Sequence, residues 1–155
     1  MTTKINQTKN ILFILLTIFF LLSCEEKTVQ PTINIEEAYN QWKSLGINNY
    51  SVIQIKKCFC VDAGIKAIIT VKNENIVSVQ DSLGQIQIPQ ERWQYFKTIN
   101  QLFETAIQAR KNNPADFIIE YDEQYKYPTY LYVNPSSKTV DDEYGFSTYN
   151  LIPQR

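Results

Sequence analysis

The sequence predicts an α+β fold: an antiparallel β-sheet packed by two helices on one face, in the order α-β-β-β-α-β-β-β. Three observations predict it. Two stretches repeat apolar residues at helical spacing behind a capping box, six stretches alternate with a period of two, and Gly, Asn, Asp or Pro punctuates the joints between them.

Asn34, with Glu37 three residues on, opens the first helix, and Ile35, Ala38, Tyr39, Trp42 and Leu45 form one stripe until Gly46 closes it. Beyond Asn48-Asn49 the period falls to two. Ile53, Ile55, Phe59 and Val61 are expected on the apolar face of the first strand, against Val52, Gln54, Lys56, Cys58 and Cys60 on the other. Asp62-Ala63-Gly64 reads as a three-residue hairpin loop with Gly at the left-handed position, returning the chain through Ile65, Ala67, Ile69 and Val71. Asn73-Glu74-Asn75 turns it again, and Val77 and Val79 of the third strand are expected opposite Val71 and Ile69. Residues 82–97, with Gly84 and Pro89, read as irregular apart from a short helical turn packing Trp93 and Phe96. Thr98 with Gln101 opens the second helix, which carries Ile99, Leu102, Phe103, Ala106 and Ile107 on one face until Asn112-Asn113-Pro114 stops it. Strands are expected at 116–121, 129–134 and 143–151. The two halves share their order of elements without residue-level identity. A domain of about 120 residues buries enough surface to fold alone, so no cofactor is implied.

The whole chain has 155 residues, 15 Lys and Arg against 16 Asp and Glu, three Cys and no His. A net charge of −1 supplies no basic field for a phosphate backbone, which argues against nucleic acid as a partner. Without imidazole the common nucleophile–base pairs and His metal ligands are also gone. Lys4 and Lys9 are the only charges before Cys24, leaving 13 basic and 16 acidic residues after it. They precede the 12-residue apolar run Ile11 to Leu22. At ~1.5 Å per residue such a run reaches ~18 Å of a ~30 Å hydrocarbon core, so it reads as an export signal. It ends in Leu21-Leu22-Ser23-Cys24, which resembles the lipobox of bacterial lipoproteins. That resemblance implies that residues 1–23 are cleaved and that Cys24 is diacylated, anchoring the protein to a bacterial membrane, in the first place the outer membrane. Glu25 and Glu26 resemble the surface-export signal that follows the lipidated cysteine in some such proteins. Residues 24–33, with Pro31 and no apolar periodicity, read as a flexible tether, and residues 34–155 as the single α+β domain.

Cys58-Phe59-Cys60 is the most unusual local feature, because with Cys24 lipidated these are the remaining thiols in an oxidising compartment. They form a candidate disulfide or redox pair, with both sulfurs expected on the face shared with Lys66, Ile68 and Thr70. Neither a zinc nor a copper site is implied, since the chain supplies no further Cys or His ligands. Tyr121 to Thr129 and Asp141-Asp142-Glu143 gather carboxylates, but the spacing is not that of a twelve-residue calcium loop and reads as a solvated turn. Tyr is abundant, and Tyr125, Tyr127, Pro128 and Tyr130 are the candidate recognition surface, since Tyr offers large area at low entropic cost.

These features occur together. The Tyr50 to Cys60 strand ending in C-x-C, the Ile99-Asn100-Gln101-Leu102-Phe103 helix, the Tyr121 to Thr129 turn and the late Asp141-Asp142-Glu143 resemble a family of small secreted or lipid-anchored bacterial proteins classed as a domain of unknown function. The resemblance covers residues 34–151, with Lys126 standing where the family pattern has Gly in its Tyr-Gly-Tyr-Pro-Thr turn. It implies the domain boundaries and no activity. The expectation is a lipid-anchored envelope protein without catalytic activity that binds another envelope component through an aromatic sheet face or the Tyr125 to Tyr130 turn. The alternative is a thiol-disulfide protein using Cys58 and Cys60.

Overall fold

The computed structural model describes residues 33–154, within a compact unit that begins at Ile33. The expected signal segment 1–23, Cys24 and all but the last residue of the tether 24–33 lie outside the described residues. The elements are α1 (Ile35–Ser44), β1 (Tyr50–Cys58), β2 (Lys66–Lys72), β3 (Asn75–Asp81), a short 3-10 helix (Gln90–Tyr95), α2 (Ile99–Lys111), β4 (Asp116–Tyr121), β5 (Pro128–Asn134) and β6 (Tyr144–Pro153). The six strands form one antiparallel sheet in the order β3-β2-β1-β6-β5-β4. Each half of the chain is thus a helix followed by a meander, and the two meanders join where β1 pairs with β6. The order places the second meander as a tandem copy of the first would lie, but antiparallel pairing throughout makes β4 run opposite to β1, so the halves are not superposable repeats.

Both helices start as their caps dictate. Asn34 Oδ1 accepts from the Glu37 N–H at 2.8 Å. The full reciprocal box forms at α2, where Thr98 Oγ1 accepts from the Gln101 N–H at 3.2 Å and Gln101 Oε1 accepts from the Thr98 N–H at 2.9 Å. The helices bury Ile35, Ala38 and Trp42 from α1 and Ile99, Leu102, Phe103 and Ala106 from α2 against one face of the sheet. That face presents Val52, Ala67, Ile69, Val71, Val79, Leu131, Val133 and Phe146. Trp42 Nε1 donates to Asn100 Oδ1 at 2.8 Å, which fixes one helix against the other.

The register of β1 corrects the sequence reading. The residues turned toward the helices are Tyr50, Val52 and Gln54, all buried, while Ile53 and Ile55 stand half-buried on the opposite face. Two hydrogen-bonding demands decide this. Helix α2 begins with N–H groups that have no partner within the helix, and the chain leading into it runs over β1. The Tyr50 hydroxyl accepts from the Ile99 N–H at 2.8 Å. Gln54 Nε2 donates to the Lys97 carbonyl at 3.1 Å while its Oε1 accepts from the Lys97 N–H at 3.0 Å. A buried glutamine that satisfies both backbone groups of one residue is stable in the core, where an alternation count scores it as a surface position.

Two further expectations shift. Val79 does lie opposite Ile69, but a bulge between Thr70 and Val71 brings Ile76, not Val77, opposite Val71, and Val77 is exposed. The β1–β2 connection is longer than three residues, so Phe59 and Val61 leave the strand and are exposed. Gly64 takes the expected left-handed conformation, φ +77°, and its N–H donates to the Lys56 carbonyl at 2.8 Å. Asp62 in the same loop is also left-handed, and its buried carboxylate is held by Arg92 through a salt bridge and a 2.9 Å bond from Nε. This pair ties the loop to the 3-10 helix, and a charged guanidinium fork suits a carboxylate removed from water.

The clamp on α2 makes two predictions. Tyr50→Phe orphans the Ile99 N–H and Gln54→Leu orphans both backbone groups of Lys97, so each lowers stability by roughly 1–3 kcal/mol per orphaned group. Urea titration reads this as a lower midpoint at unchanged slope, with the Gln54 variant the more damaged. Burial, the largest cause, raises the pKa of Tyr50 well above its ordinary value, and it pushes Tyr121 up to about 12. A folded-state pKa above the unfolded one favours the protonated form, so this contribution is complete below about pH 10 and disappears as pH rises through about 12. Midpoints measured at increasing alkalinity are expected to fall across that window.

Candidate functional site

Antiparallel partners share a face, so the register identifies what stands on the side of the sheet away from the helices. One row runs Lys66, Ile55, Ser147, Tyr130, Glu120 across β2, β1, β6, β5 and β4. The next runs Lys57, Gly145, Tyr132, Ile118. A third places Ile68, Ile53 and Tyr149 side by side. Among the described residues, neither helix packs on this face, because both are committed to the other. Ile53, Ile55, Ile68, Tyr130, Tyr132 and Tyr149 are half-buried by one another and by their neighbours, and Ile118 is exposed.

Lysines lean over the rings. Lys57 Nζ lies 4.8 Å from the centroid of Tyr130, and Lys66 Nζ lies 5.4 Å from that of Tyr149. The charges are also segregated. Lys57, Lys66 and Lys72 alternate onto this face from β1 and β2, whereas Asp116 and Glu120 do so from β4. Partial burial first, then the carboxylates of Glu143 and Asp116, raises the Tyr132 pKa, in keeping with an acidic end to the face. The result is an apolar and aromatic strip, basic at one side and acidic at the other.

Gly145 sits in the middle of this strip, where a Cβ would collide with the Leu131 carbonyl oxygen of β5. The β5–β6 approach therefore requires glycine there.

The four residues expected to form a recognition surface divide. Tyr130 stands on the open face. Tyr127 and Pro128 are buried, Tyr127 with its ring edge-on to Trp42 at 6.4 Å, so neither can meet a partner. Tyr125 is half-buried against the core. The turn before them is built by Asp122, whose Oδ1 accepts from the N–H groups of Gln124 at 2.9 Å and Tyr125 at 2.7 Å. Lys126 has φ +60°, so the position that the family pattern fills with glycine keeps the left-handed conformation here. The turn spends its polar groups on itself and delivers two aromatic side chains inward.

Cys58 and Cys60 are joined as a disulfide, with Cα atoms 5.3 Å apart at the end of β1. Cys58 lies opposite Tyr144 and shares its side of the strand with Gln54 and Lys56, which is the helix side. The expectation that its sulfur shares a face with Lys66, Ile68 and Thr70 is therefore reversed, for the same reason that Ile53 and Ile55 are. Cys60 has left the strand and is exposed in the loop that Asp62 and Arg92 hold down. Lys56 rests 4.7 Å from the Tyr95 centroid, and burial, followed by Lys97, lowers its pKa.

A shallow cleft of about 790 Å³ lies between α2 and the 3-10 helix, its lining including Gln90, Trp93, Lys97, Gln101 and Glu104. Among the described residues, no three Asp, Glu, Cys or His side chains converge as a metal site.

The sequence led to an aromatic sheet face without locating Ile53 and Ile55 on it. The alternation of Tyr130, Tyr132 and Lys57 carried a signal for it, hidden by assigning Ile53 and Ile55 to the core. No curated protein and no solved structure matches the chain. A family model does match, over residues 34–153. That span takes in both helices and all six strands, so the chain belongs to DUF6174, a family of unknown function.

Proposed function

We propose that this is a lipid-anchored protein of the bacterial envelope that acts, without catalysis or cofactor, as an interaction module through the open face of its sheet. The observation that carries the reading is the strip of Ile53, Ile55, Ile68, Tyr130, Tyr132 and Tyr149, on which no helix among the described residues packs, while the other face of the sheet is committed to both helices. An apolar, aromatic patch edged by charge is the composition of the central part of a protein–protein contact. The anchor rests on Leu21-Leu22-Ser23-Cys24 at the end of a short apolar run, which would hold the domain at a membrane surface by multiple acyl chains.

A photo-crosslinking amino acid placed at Tyr130 in the full chain, expressed in bacterial cells, tests the reading. A reproducible protein adduct is expected from Tyr130 and none from Gln108, which is exposed on α2. Equal labelling from both positions, or adducts with lipid alone, would refute it.

One observation favours a second reading as a thiol-disulfide protein: the bridge ends at exposed Cys60, within reach of an external thiolate. Equilibration with thiol–disulfide buffers distinguishes the two. A redox role calls for a potential in the range of about −120 to −270 mV, and a value below about −300 mV marks the bridge as structural and removes this reading.

A further inference from the structure

We infer that the occupant of the open face is a second copy of this chain, stacked sheet on sheet about a two-fold axis that runs along β6. The inference rests on the open-face reading above and names its partner. The charge pattern is what selects a copy over an unrelated protein. β6 lies two strands from β2 on one side and two strands from β4 on the other. Rotation about an axis along β6 therefore sets β2 over β4 of the partner and β1 over β5, keeping each row in line.

In the first row Lys66 then faces Glu120 of the other copy, twice by symmetry, and Ile55 faces Tyr130. In the second row Lys57 faces the ring of Tyr132. The residues left on the axis in these rows are Ser147 and Gly145, both small, which lets the sheets approach to the ~10 Å of aligned sheet packing. A strip that is basic at one edge and acidic at the other is complementary to itself only when reversed, and this axis reverses it. Five strands at ~4.8 Å and about five residues at ~3.3 Å give a footprint of ~400 Å² per copy. That is about half of a standard stable interface, so the pairing is weak and concentration-dependent, a regime that shared tethering to one surface favours.

The experiment co-expresses full-length chains carrying two different tags, with the photo-crosslinker at Tyr130. Wild-type chains are expected to yield an adduct between the two tags. Lys66→Glu in both chains, or Glu120→Lys in both, converts two attractions into two repulsions and is expected to reduce that adduct by about tenfold or more. A Lys66→Glu chain paired with a Glu120→Lys chain restores it, which also shows that both variants fold. Retention of the adduct in the single-charge variants, or failure of the mixed pair to restore it, overturns the inference. An adduct with a different protein and none between copies overturns the inference and leaves the open-face reading standing. Cross-linking within one chain only, or none, overturns both.

Discussion

A single residue stretch decides the orientation of the whole sheet: the backbone from Lys97 to Ile99, which must be satisfied before α2 can begin. Its N–H and C=O groups cross the middle of the sheet, away from water, and they are met by the Tyr50 hydroxyl and the Gln54 amide. Leaving them unmet costs more than the apolar area gained by turning Ile53 and Ile55 inward would return, because orphaned buried amides are expensive and the isoleucines keep part of their burial on the other face. Once Tyr50 and Gln54 point at the helices, period-two alternation settles every other position on β1, and the ladders to β2 and β6 settle their neighbours.

The same constraint creates the open face. Ile53 and Ile55, which alternation alone assigns to the core, are displaced to the side on which no described helix packs, among the tyrosines there. The residues of this strip are not left fully wet, since they bury one another and carry lysines over the tyrosine rings. Function, on this account, is a by-product of how the second helix is docked. The strip lies on the central strands of the sheet, whereas the Asp122 turn and the Asp62–Arg92 loop are occupied with holding their own conformations.

Element identity and order were legible because they depend on local chemistry. The capping residues Asn34 and Thr98 start their helices where expected, Gly64 takes its left-handed position, and the 3-10 helix carries Trp93 as the short helical turn around it was expected to. What failed was facing, which depends on distant partners. Gln54 scored as a surface residue because its partner, the Lys97 backbone, lies 43 positions away. Tyr127 and Pro128 looked like a surface because clustered Tyr offers contact area at low entropic cost, yet they are buried, with the Tyr127 ring against that of Trp42 in the other half of the chain. The pairing of β1 with β6 was equally invisible, being a contact between the two ends of the domain. The one local feature that misled was the C-x-C stretch, where a continued strand was expected and a loop begins.

The direction in which β1 faces decides the rest, and amide hydrogen exchange of Lys97 and Ile99 measures it most directly. If Gln54 and Tyr50 hold these groups in the core, both amides exchange only with global unfolding, as slowly as the amides of central β1, although Lys97 lies outside any helix or strand. Exchange at the rate of an exposed connection would mean that the side chains of Tyr50 and Gln54 do not reach them, and that the face assigned to solvent is the buried one.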